Sequence, residues 1–251
     1  MESNYWCNKD WIYEDNLYSA KRLINNKQSR YINHMSGYFY SPKLKRSVGY
    51  ESLWGECLFY YCLELDNSVI RYYEQPINVP ISTFDNNSME VKMWYHVPDV
   101  LVFRSGHKPH LYQIKGMKKD SQSQNILKAC LELCANKNWD YSIVYPKELP
   151  EILKSNVILL WNFSKKPKNF EFILDEVLFK VQHFGEIKIE DLAKSFTGKI
   201  DFRFVLPLIY HLIFKGDLYV NLMQPINNRT IVKPGNITTM LSDYYIKEVV
   251  N

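Results

Sequence analysis

The sequence predicts an α/β chain in two parts, a mixed-sheet core followed by a small helical domain closed by a hairpin. Three observations predict it. Between residues 69 and 116, short apolar or alternating runs are bounded by turn residues, the pattern of strands. Helical spacing flanks those runs, at "SLWGECLFYYCLEL" and at "SQSQNILKACLELCANK". A basic, proline-bearing stretch, "NFSKKPKNF", then precedes a different order of elements. The linker is expected there, dividing the chain into domains 1–165 and 166–251.

Taken in order, "EDNLYSAKRLINNKQ" predicts the first helix. "YFYSPKLKRSVGYES" reads as a basic, aromatic, strand-like connection, and a helix starts at about Ser52. "VIRYYEQPINVPI", "MEVKMWYHV", "DVLVF" and "HLYQIKG" read as strands, with turns at "FDNNS" and "RSGHKP". The helix from "SQSQNILKACLELCANK" and the strand "YSIVY" complete the core. In the second part, "FILDEVLFKVQHFG" is a helix stopped by Gly185, "EIKI" is extended, and "EDLAKSF" is a short helix. "DFRFVLPLIYHLIFKG" is a longer helix stopped by Gly216, and "DLYVNL" and "TIV" form a hairpin around "QPINNRT". That order is the order of a winged helix.

The 251 residues are 46% hydrophobic and 23% charged, which suits a globular chain. A net charge of +4 permits nucleic-acid binding without arguing strongly for it. No apolar run approaches the roughly 18 residues of a membrane span. The start, "MESNYWCNKDW", does not read as a signal peptide. The five cysteines include no CxxC pair, so reduced thiols in a cytoplasm are expected rather than disulfides or zinc. His107 and His110 sit in a predicted turn, solvated rather than ligating.

Four residues carry a possible site. Between Ser52 and Leu63 the only carboxylate is Glu56, off the apolar face of Trp54, Cys57, Leu58 and Tyr61. By itself it reads as a surface glutamate or as support for the helix N-terminus. Asp99 follows Pro98 at the start of a strand, and "PD" by itself is a common turn dipeptide. Gln113 and Lys115 share one strand face, which alternation on a half-exposed strand gives freely. Their order is more telling than any one of them. A helix carboxylate, a strand-start aspartate and Gln-x-Lys on the adjacent strand is a layout that metal-dependent phosphodiester cleavage needs. Mg takes hard oxygen ligands and leaves room for water and phosphate. Asp99 is then the central ligand. Glu56, the Gln113 side-chain oxygen and the Ile114 backbone carbonyl complete the set, and Lys115 stabilises the phosphate charge.

"PDVLVF…YQIKG" resembles the PD-(D/E)xK nuclease signature with glutamine for the acid. The wider stretch from Tyr38 to Gly116 resembles the TnsA endonuclease subunit of heteromeric transposases. The residues that carry this are Ser41, Lys43 and Arg46; Tyr50 to Glu56; Leu63 to Pro76; Pro98-Asp99; and Gln113 with Lys115. The resemblance implies a restriction-endonuclease-like core and a C-terminal winged helix. It implies a Mg-dependent enzyme, with Mn as substitute, that cuts the 5′ strand at transposon ends in a bacterial cytoplasm. It also implies two partners: a DDE-family transposase, and an AAA+ ATPase regulator acting through the C-terminal domain. Lys43, Lys45, Arg46, Lys118 and Lys119 flank the site and are the candidate phosphate contacts. In the helix from Asp201 to Lys215, Arg203, His211 and Lys215 lie among apolar residues, a composition that favours protein contact over base readout.

Two other readings stay open from the residues. One is a stand-alone restriction or repair nuclease of the same fold. The other is a catalytically inert DNA-binding adaptor.

Overall fold

The computed structural model describes residues 6, 8–22, 24, 35–85, 90–117, 123–167 and 171–245. The chain divides into two compact units. The first comprises Met1–Phe59, Ser68–Glu148 and Tyr245–Asn251; the second comprises Tyr60–Asn67 and Leu149–Tyr244.

The first unit begins with a short helix, α1 (Ile12–Leu17); in the stretch "EDNLYSAKRLINNKQ", expected as one helix, residues 18–22 and 24 are not helical, and 23 and 25–28 lie outside the described residues. Asp15 holds α1 in place: its carboxylate accepts from Arg71 Nε at 2.9 Å and from the Tyr73 hydroxyl at 2.8 Å. The aromatic start of the sequence has a packing reason, since Trp6 and Trp11 each meet Phe103 edge-on at 5.1 Å. Strands β1 (Gly37–Ser41) and β2 (Arg46–Tyr50) pair antiparallel as a hairpin. Lys45 takes a positive φ of 55° in its turn.

A π-helical turn, Leu53–Cys57, leads into α2 (Leu58–Leu65). Strand β3 (Val69–Glu74) follows and stops at Gln75, whose φ is +47°. The stretch "VIRYYEQPINVPI", expected as one strand, therefore breaks in two. A buried non-glycine residue in the left-handed region turns the chain, and Pro76 cannot donate to a ladder. Strands β4 (Val79–Asp85) and β5 (Glu90–His96) form their own antiparallel pair.

Strands β6 (Val100–Arg104) and β7 (His110–Ile114) join β3 in the central sheet. Helix α3 (Gln124–Lys137) then crosses to β8 (Asp140–Val144). The sheet order is β3-β6-β7-β8, with β7 and β8 parallel and the other pairs antiparallel. This is the mixed sheet that the sequence predicts. The parallel pair needs a helical crossover, and α3 supplies it. Its buried face, Cys130 and Cys134, packs with Val79, Ile81, Leu101, Leu111 and Tyr141 in the core. The four described cysteines are buried thiols; Cys7 lies outside the described residues.

His110 departs from expectation. It opens β7, is buried, and stacks on Tyr112 at 4.0 Å, with Nε2 2.9 Å from Ser142 Oγ. Burial lowers its pKa to about 3, so it stays neutral.

The second unit contains α4 (Glu151–Trp161), for which the sequence reading gave no element. Trp161 stacks on Tyr61 at 4.2 Å and meets Phe214 edge-on at 6.0 Å. The buried Asn156 donates to Leu222 O and Gln224 O, each at 2.8 Å, and accepts from Ile226 N at 3.1 Å. A buried amide satisfied this fully fixes the loop that carries those residues. There follow α5 (Leu174–Phe184), β9 (Ile187–Lys188), α6 (Ile189–Lys194), α7 (Phe202–Lys215), β10 (Leu218–Tyr219), β11 (Ile231–Pro234) and α8 (Thr238–Tyr245). The strands pair in the order β10-β11-β9. Gly185 and Gly216, with φ of 73° and 81°, end α5 and α7 where the sequence places the stops. Among the described residues no helix is long and apolar enough to cross a membrane.

Candidate active site

The site is assembled from the start of β6, the end of β7 and the π-helical turn before α2. Ser52 caps that turn, its Oγ accepting from Gly55 N at 3.1 Å. A π turn is wider than an α turn, so the 3.6-residue periodicity fails over it. Trp54, expected on the apolar face, is 49% exposed, and Glu56, expected off it, is buried. Glycine is needed at 55 for close approach. A Cβ there would come 2.9 Å from Ser52 Oγ and 3.4 Å from Ile114 Cγ2 on β7. The turn thus lies against the strand that carries Gln113.

Glu56 Oε2 accepts the backbone N–H of Glu51 at 2.6 Å. Burial raises its pKa, the charge of Asp99 raises it further, and the Glu51 N–H offsets part of this.

Asp99 stands just ahead of β6 and is also buried. Its backbone is held on both sides: its N–H donates to Tyr112 O at 3.2 Å, and its carbonyl accepts from Gln75 N at 2.8 Å. The strained turn at Gln75 therefore positions Asp99. The Asp99 side chain accepts from Ile114 N at 2.5 Å and from the Gln113 amide nitrogen. Burial raises its pKa, and the Ile114 N–H, Arg22 and Lys115 pull it back.

Gln113 bridges two partners. Its Nε2 donates to Asp99 Oδ2, and its Oε1 accepts from His96 Nε2 at 2.8 Å. The amide therefore turns its nitrogen to Asp99, whereas the sequence reading expected its oxygen on that side. Lys115 continues the strand ladder, its N–H donating to Val144 O at 2.9 Å. It is half-buried and close enough for its charge to act on Asp99 and His96.

Three residues near the site were missed by sequence reasoning. Arg22 pairs with the Glu51 carboxylate, and its charge reaches Glu56, Asp99 and His96. His96 closes β5; burial lowers its pKa, and the bond to Gln113 opposes this. Only the tertiary fold brings Arg22 in: Lys21 N donates to Gln75 O at 2.9 Å, the same residue that holds Asp99. Glu51 stood in the "YES" stretch that carries the resemblance but was given no role at the site, and nothing marked His96 in "HVPD".

The expected phosphate contacts are placed less simply. Arg46 makes a bidentate pair with the buried Glu74, both contacts at 2.6 Å. Lys43 Nζ donates to Val69 O at 2.9 Å, while Lys45 is exposed. Lys118 and Lys119 lie outside the described residues.

Among the described residues no three His, Cys, Asp or Glu side chains cluster to hold a metal ion. The donor set is smaller: two buried carboxylates of like charge, with an amide beside one of them. That set fits Mg, which binds through one or two carboxylates and keeps waters and substrate phosphate in its shell. It does not fit a cage that encloses the ion.

No curated protein matches the chain. Residues 66–145 match the family described as TnsA-like endonuclease N terminal, a span holding Asp99, Gln113 and Lys115 but beginning after Glu56. Over residues 66–145 the chain is therefore similar to the N-terminal domain of TnsA-like endonucleases.

Proposed function

We propose that the chain is a divalent-cation-dependent DNA endonuclease that cuts the 5′ strand at transposon ends alongside a DDE-family transposase. The observation that carries this is the pair of buried carboxylates, Glu56 and Asp99, each with its pKa raised, beside Gln113 and Lys115. Burying two like charges together is costly unless a cation joins them. Glu56 and Asp99 would hold the ion, Gln113 would add an oxygen, and the Ile114 carbonyl is a further donor. When bound, the ion supplies Lewis acidity toward the phosphate. Lys115 neutralises charge that develops on the phosphate oxygens. Lys45, which is exposed, is the described candidate for contact with neighbouring phosphates.

The elements from α5 to β11 follow the order of a winged helix, and we assign residues 166–251 that fold. On α7, Arg203 is bound to Asp201, Lys215 to Asp217, and His211 donates from Nδ1 to Phe163 O at 2.8 Å. Side chains engaged in this way favour contact with a protein, the AAA+ regulator, over base readout.

Strand-specific cleavage of end-bearing DNA tests the whole reading. With Mg and the partner transposase, cuts are expected near the 5′ strand termini. The isolated chain is expected to be nearly inert, because +4 net charge gives modest, salt-sensitive DNA affinity. Efficient site-specific cutting by the chain alone would instead make it a stand-alone nuclease. Partner-supported 5′ cleavage by an Asp99→Ala protein would make it an adaptor whose partner does the cutting.

A further inference from the structure

The Gln113 amide is held at both ends. Its nitrogen donates to Asp99 and its oxygen accepts from His96 Nε2 at 2.8 Å. A carboxylate only accepts, so Asp99 draws the NH2 end. An amide oxygen also only accepts, so His96 must carry its proton on Nε2. His96 sits at the end of β5, three residues before Asp99, and pairs in register with the buried Val79. Its backbone is thus held by strand pairing, and its ring by the bond to Gln113.

A cation at Asp99 reverses the demand on the amide. A hard ion takes oxygen and repels N–H donors. Gln113 can then be a ligand only with its amide turned end for end, which points the NH2 at His96. A protonated Nε2 would oppose that NH2, donor against donor. A neutral imidazole has a way out, because its one N–H can sit on either nitrogen.

We propose that His96 is a positioning residue whose tautomer changes together with the Gln113 amide, so that one histidine holds the amide in both orientations. Without the cation, Nε2–H donates to Oε1. With it, the proton is on Nδ1 and Nε2 accepts from the amide nitrogen. One proton leaves Nε2 for solvent and one arrives at Nδ1, so the ring stays neutral. The proposal rests on the cation-dependent reading of the site. It adds a residue outside the four that the sequence singled out. It also accounts for the glutamine. A glutamate would offer two equivalent oxygens and would need no such partner, whereas an amide needs a neighbour that can both donate and accept.

The test measures Mn binding to the full chain without DNA, by the loss of free-ion electron paramagnetic resonance signal. His96→Phe and His96→Gln are compared in the native and Gln113→Glu backgrounds. In the native background, His96→Phe is expected to weaken Mn binding roughly tenfold, as loss of an orienting partner does. His96→Gln, which can also donate or accept, is expected to restore most of it. In the Gln113→Glu background, His96→Phe is expected to have little effect. Equal losses in both backgrounds would mean that His96 only packs, and would overturn the proposal. Imidazole nitrogen resonances of the unmutated chain give a second readout that survives if a variant misfolds. Nε2–H is expected without Mg and Nδ1–H with it, and an unchanged tautomer while Mg binds overturns the proposal alone. If the unmutated chain binds neither Mn nor Mg, the cation-dependent reading fails, and the proposal with it.

Discussion

Glu51 and Glu56 are joined by a 2.6 Å hydrogen bond in which the Glu51 backbone N–H donates to Glu56 Oε2. The two glutamates divide the work: the backbone of Glu51 steadies the buried carboxylate, and its side chain holds Arg22. A site of mutually repelling acids is thus kept in place by groups that are themselves anchored.

That arrangement predicts a stability cost that rises with pH. Burial raises the pKa values of Glu56 and Asp99 in the folded chain. Between the ordinary carboxylate range, about 4, and those raised values, the folded form binds more protons than the unfolded form. Stability of the metal-free protein therefore falls as pH rises through that window. Glu56→Gln keeps an oxygen for the Glu51 N–H and removes one ionisation. It is expected to raise Tm above neutrality by about 2–4 °C, as ~1 kcal/mol does in a chain of this size. The gain should vanish near pH 4. Calorimetry across pH checks this, and a lower Tm for Glu56→Gln at pH 8 would contradict it.

Cleavage should separate the roles at the strand ends. Asp99→Ala is expected to abolish it, and Lys115→Ala to lower it by roughly 10²-fold. Gln113→Glu should stay active and Gln113→Leu should not, because leucine deletes an oxygen from a hard-cation site. Normal cutting by the Gln113→Leu protein, measured with partner transposase and Mg, would remove Gln113 from the ligand set.

Arg22 lowers the pKa values of Glu56 and Asp99 from outside the matched family span. Its removal leaves protons competing harder for the carboxylates that a cation needs. Arg22→Ala should weaken Mn binding several-fold at pH 7, and the difference should shrink as pH rises. A pH-independent loss would point instead to a disturbed Glu51.

Arg46 separates a structural role from a DNA contact. Its guanidinium is spent bidentately on Glu74, whose side chain is 11% exposed. Arg46→Ala strands that carboxylate and should cost on the order of 2–3 kcal/mol in chemical denaturation. It should leave the salt dependence of DNA binding unchanged, whereas Lys45→Ala should reduce the logarithmic slope by about 0.9. A reduced slope for Arg46→Ala would restore it as a phosphate contact.

The mixed sheet was legible because strands announce themselves locally. Alternation and turn residues marked β3, β6, β7 and β8, and the glycines at 185 and 216 marked helix ends that require positive φ. Asp99, Gln113 and Lys115 were legible by order and spacing, because strand geometry turns a spacing of two into one shared face. Tertiary structure alone decided the rest. The burial of Glu56 depends on a π turn that departs from the 3.6-residue period. The break at Gln75 depends on a backbone conformation that residue type does not announce. Arg22, Glu51 and His96 join the site through hydrogen bonds and charges that act between distant parts of the chain, and no local pattern encodes such a meeting. The end of the Gln113 amide that faces Asp99 was likewise not in the sequence; it follows from which neighbours can donate and which can only accept.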